Sequence, residues 1–80
     1  MTSAAERDAE AACLLSLEDS LDARTLPDLG GYSIKVIDGA LHTLVKRHGA
    51  AAGSLLHALV DRATSKNART AARRALYRMT

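Results

Sequence analysis

The chain has 80 residues, 48% of them hydrophobic but only two aromatic, and its 11 basic and 9 acidic side chains leave a formal charge of +2. That length suits one domain, residues 1–80, with a core burying only about 60% of the unfolded surface, so a partner or a second copy is expected to share in its stability. No apolar run approaches the ~18 residues of a membrane span, the acidic start lacks a leader's apolar centre, and the lone Cys13 has no internal disulfide partner, so a reducing, cytoplasmic setting away from membranes is expected.

Ser3-Ala4-Ala5-Glu6 has the form of a capping box, in which the Ser3 oxygen accepts from the Glu6 amide and the Glu6 side chain reaches back. It predicts a helix from about Ala4 to Ser20. Ala11, Leu14, Leu17 and Leu21 share one face with Cys13 beside them, and Glu6, Asp8, Glu10, Glu18 and Asp19 occupy the other. Glu18 and Asp19 lie at the helix end that repels anions, so they call for a basic neighbour or open solvent.

Pro27 stops any helix running through 22–31. Thr25-Leu26-Pro27-Asp28 predicts at most a single turn over Leu26–Leu29, ended by Gly30-Gly31 at positive φ. The two glycines lack the preceding strand and the following Lys-Ser/Thr of a phosphate loop.

From Ser33 to His48 comes the most apolar helix, with Ile34, Ile37, Leu41, Leu44 and His48 in one stripe flanked by Val36, Ala40 and Val45. Lys46, Arg47 and His48 suit the negative end of the dipole, Gly49 is the natural residue just past the end, and Gly39 predicts a close helix crossing. This helix is expected at the centre of the fold. Ala50–Gly53 reads as a small-residue connector or frayed turn.

Residues 54–79 predict two short helices folded back on each other. The first carries apolar residues at 55, 56, 59, 60 and 63, and Asn67 is a cap at the break. In the second, Ala68, Ala72, Ala75, Leu76 and Met79 face one way. Lys66, Arg69, Arg73, Arg74, Tyr77 and Arg78 form the other side. The whole predicts an all-α fold, a small four-helix domain packed as two helical hairpins, with no strand signal.

Charge divides the chain. Residues 1–31, the acidic helix and its Pro/Gly loop, hold seven acids against two bases, a net −5. Residues 32–80, the basic three-helix part, hold nine bases against two acids, a net +7. The charges either meet within or between copies of the chain, or the basic half awaits an anionic partner.

No acid, base and nucleophile set can be assembled, so no enzyme, catalytic residue, cofactor or small-molecule substrate is expected. His42, His48, His57 and Cys13 lack the paired spacing of a structural zinc site, and no metal is expected either. What remains is a binding surface formed by Lys66, Arg69, Arg73, Arg74, Tyr77 and Arg78. It suits another protein with an acidic surface, or a copy of this chain, in an adaptor, small regulator or assembly subunit. The alternative is nucleic acid, with a base stacked on Tyr77 and phosphates held by the arginines.

The pattern Leu55-Leu56…Leu59…Arg69…Ala71-Ala72…Ala75-Leu76…Met79 resembles one HEAT repeat, with its Leu-rich first helix and its second helix opening on Arg before Ala-Ala…Ala-Leu. Ser65 replaces the usual turn proline, and Ala63 stands where an Asp would partner Arg69. The resemblance implies protein binding along a concave helical surface, with Ala4–Ser20 and Ile34–Gly49 as an irregular preceding repeat. Two repeats fall short of the roughly three that sustain a stack, which again implies a partner or a dimer.

Overall fold

A computed structural model describes residues 4–23 and 25–79, with side chains for 4–21 and 25–79. Its four helices are α1 (Ala4–Ala23), α2 (Ile34–His48), α3 (Ala50–Arg62) and α4 (Lys66–Met79), and no strand occurs among the described residues. α1 packs on α2 and α3 packs on α4. The two pairs join chiefly where α2 meets α4, while α3 touches α1 and α2 only lightly. The four-helix, two-hairpin architecture expected from periodicity is the one observed.

α2 is central because its stripe is the most completely apolar. Ile37, Ala40, Leu41 and Leu44 are fully buried, and Ile34 and Val45 pack at the edge. Each such Leu or Ile contributes about 1.5–3 kcal/mol on burial. Ser33 starts the helix, its hydroxyl accepting from the Val36 amide at 3.3 Å. His48, which spacing assigns to the stripe, is instead exposed and is held by Glu18.

α1 runs one turn past the expected Ser20. Its inward stripe centres on Cys13 and Leu17, with Leu14 and Leu21 half-buried beside them and Ala11 exposed. An alanine-rich helix gives little contrast between faces, and the burial of Cys13 decides the rotation. Ser20, the one buried polar side chain among the described residues, donates to the Ser16 carbonyl at 2.9 Å. The capping serine, Ser3, lies outside the described residues.

The 25–33 segment forms no helical turn at Leu26–Leu29. Asp28 Oδ1 instead accepts from the Gly30 amide at 3.1 Å, and the Tyr32 amide donates to the Leu29 carbonyl at 3.2 Å. These bonds make a tight turn whose glycines do not take positive φ, contrary to expectation. The segment is anchored by Leu29, which is buried in the core.

Positive φ falls at Gly49, which alone separates α2 from α3 at φ 57° and ψ −117°. Its amide donates to the Val45 carbonyl at 2.9 Å and its carbonyl accepts from Gly53 at 3.2 Å, so one residue ends one helix and starts the next. α3 therefore begins at Ala50, a turn before the expected Ser54, and Ala52 is buried.

Candidate interaction surface on the last helix

α4 is capped by Ser65, whose hydroxyl accepts from the Ala68 amide at 3.3 Å and whose carbonyl accepts from the Arg69 amide at 3.1 Å. Ser65 thus fills the cap position that sequence had given to Asn67. Ala68, Ala71, Ala72 and Ala75 form the buried side, and their small size lets α4 lie close against α2 and α3. Ala71 joins the expected inward set, Leu76 is half-buried, and Met79 is exposed at the helix end.

Every predicted surface residue falls on the outward side. Lys66, Arg69, Arg73, Arg74, Tyr77 and Arg78 are all exposed, Tyr77 to 84%. At 100° per residue they cover about half the helix circumference along roughly 20 Å. Arg78 differs from the others in lying against the body of the protein. Its Nη2 is 3.6 Å from Asp38 Oδ2 on α2. Asp38 Oδ1 is buried without a hydrogen bond among the described residues, so Arg78 is the charge compensating that carboxylate.

Lys66, Arg69, Arg73 and Arg74 have no carboxylate within ion-pair distance among the described residues. No acid occurs anywhere in α4. Lys66 and Arg69 sit at the positive end of the helix dipole, which disfavours cations. Arg69 with Arg73 and Arg74 with Arg78 are like-charge neighbours four apart, each pair costing about 0.2–0.5 kcal/mol in an isolated helix. The free molecule thus carries a face whose charges oppose one another and the helix itself.

Two acids of α1 are compensated within the chain. Glu6 lies 3.7 Å from Lys35, and Glu18 lies 2.8 Å from His48 Nε2 and 3.7 Å from Arg47. Glu6 and Glu18 therefore meet bases of α2, and Glu18 has the basic neighbours its position called for, while Asp19 is exposed. The carboxylate of Glu10 lies over Gly39, 2.8 Å from where a Cβ would sit, so the crossing expected at that glycine is filled by an acidic side chain.

Cys13 is enclosed, and burial, with Glu10 adding to it, pushes its thiol up to about 11. Such a thiol is a poor nucleophile near neutrality. The histidines are dispersed, and no three His, Cys, Asp or Glu side chains come together in a metal-binding group among the described residues. No helix there is long and apolar enough to cross a membrane.

A further feature has almost no sequence signature. A groove of about 500 Å³ opens between the end of α1, the 25–26 segment and α3, with Leu21, Leu26, Leu55 and Ala58 among its walls and Arg62 at its edge. Its only signal in the sequence is the small-residue spacing of Ala51, Ser54 and Ala58, hidden because the first turn of α3 has no readable period.

Compared with family models, with curated proteins and with solved structures, the chain has no match.

Proposed function

We propose that this chain is a non-enzymatic protein-interaction module, an adaptor, small regulator or assembly subunit, whose α4 face docks an acidic surface of another protein. The observation that carries the reading is the set Lys66, Arg69, Arg73 and Arg74, exposed on an acid-free helix with no carboxylate in reach among the described residues. Charges left opposed in the free protein are relieved by an anionic partner, and clustered arginines suit bidentate pairing with carboxylates. A cytoplasmic setting belongs to the same proposal. So does the HEAT-like reading of 54–79, which adds recognition along a helical surface.

The test uses fluorescence anisotropy with a labelled polyglutamate peptide as the acidic probe. Replacing Arg73 and Arg74 by Glu is expected to weaken binding at least about tenfold, or 1.4 kcal/mol, with the helical circular-dichroism signal unchanged. Equal binding by the variant counts against the proposal.

Tyr77, exposed on the same arc one turn from Arg73, favours a second reading, single- or double-stranded nucleic acid. That reading predicts a salt slope of about 0.9 per duplex phosphate contacted and a loss of single-strand affinity in Tyr77→Ala. An acidic-protein surface predicts little effect from Tyr77→Ala.

A further inference from the structure

Along α1, Asp8, Ala12, Leu15 and Asp19 stand at i, i+4, i+7 and i+11, a single stripe, and all four are exposed. Leu15 is 65% exposed, far more than any other leucine of α1. Asp8 and Asp19 have no basic group within ion-pair distance among the described residues, unlike Glu6 and Glu18 on the same helix. This is an apolar knob between two uncompensated acids.

The groove beside α3 has the opposite character. It is lined by Leu21, Leu26, Leu55 and the small residues Ser54 and Ala58, and no carboxylate lines it among the described residues. Among the described residues its one charged lining side chain is Arg62, which is exposed and has no ion pair there.

We infer that the groove receives the α1 stripe of a second copy of this chain. Leu15 of the incoming copy enters between Leu21, Leu26 and Leu55, above Ala58, and its Asp19 reaches Arg62. The step from Leu15 to Asp19 on one helix equals the step from Ala58 to Arg62 on the other, four residues or about 6 Å. Side-by-side helices running in the same direction therefore bring the apolar contact and the ion pair into register together. Ala11 and Ala12 on one side, with Ala51 and Ser54 on the other, place no bulk between the backbones.

Stripe and groove are different patches of the same molecule, so the contact is head to tail. Each added copy leaves one stripe and one groove open, and assembly proceeds beyond two copies to a ring or an open chain. The surface is distinct from the α4 face and does not depend on it.

Sedimentation velocity from micromolar to millimolar protein tests this. The wild type is expected to rise from 8.5 kDa past twice that mass. Leu15→Ser, on an exposed site and checked for helicity by circular dichroism, is expected to stay at the monomer mass. Arg62→Glu should weaken association at least about tenfold, and Arg62→Glu combined with Asp19→Arg should restore it. Arg73→Glu with Arg74→Glu should leave it unchanged, which separates this contact from the α4 surface. A wild type that stays monomeric at millimolar concentration overturns the inference. So does association that survives Leu15→Ser, or that is abolished by the α4 variants instead.

Discussion

Two glycines in this chain have opposite roles, and substituting them separates backbone strain from side-chain crowding. Gly49 has open space where a side chain would stand, so only its φ of 57° and ψ of −117° resist replacement. Gly49→Ala is expected to destabilise by about 1–3 kcal/mol in urea unfolding, the typical cost of holding a non-glycine residue in such a region. Gly39 is helical, and an added methyl meets only the movable carboxylate of Glu10. Gly39→Ala is expected to be neutral or to stabilise by up to about 1 kcal/mol through helix propensity. Equal effects at the two positions would refute the assignment. Cys13 yields a pH prediction. Burial, with Glu10 adding to it, pushes the folded thiol up to about 11 from an ordinary 9.0, so the protonated form favours the fold. That contribution is complete below pH 9 and is lost as pH rises towards 11. Alkylation of Cys13 at pH 8 should be at least about tenfold slower in native protein than in urea, and equal rates would contradict its burial.

At the scale of elements, α4 packs through alanine. Ala71 is wholly enclosed where α4 meets its neighbours, so Ala71→Leu should cost about 1–3 kcal/mol by overpacking, whereas Arg73→Ala on the opposite side should change stability by less than about 0.5 kcal/mol. Thermal unfolding monitored by circular dichroism checks the contrast. Helix legibility followed how sharply apolar and polar residues alternate. α2 and α4 were readable because leucines and isoleucines in one, and arginines in the other, mark their faces. The first turn of α3 was not, because Ala50-Ala51-Ala52-Gly53 has no polar residue to give it a period. On α1 the inward face of Leu14, Leu17, Leu21 and Cys13 is legible and only its alanine is not: Ala9 and Ala11 are interchangeable by type, and only packing shows that Ala9 turns in and Ala11 out. The loop glycines misled because positive φ is open to any glycine, and only the short link between α2 and α3 requires it.

Across the whole molecule, the radius of gyration is 11.2 Å, against about 11.6 Å for a typical compact chain of this length. Its accessible surface is nevertheless 5214 Å², above the roughly 4,650 Å² usual for 8.5 kDa. The charge split visible in sequence resolves into two parts. Glu6 and Glu18 meet Lys35, Arg47 and His48 at the surface where α1 lies along α2, while Lys66, Arg69, Arg73 and Arg74 remain uncompensated among the described residues. The outward arc of α4 was legible from spacing alone. The diversion of Arg78 to Asp38 was not, since it depends on how α2 and α4 lie against each other.

The most direct measurement of that uncompensated surface is a ¹⁵N NMR titration with the polyglutamate peptide, read residue by residue. The account predicts amide shifts concentrated at Lys66, Arg69, Arg73, Arg74 and Tyr77, and their disappearance in the Arg73→Glu, Arg74→Glu variant. Shifts centred on any other helix, or none at millimolar peptide, would contradict it.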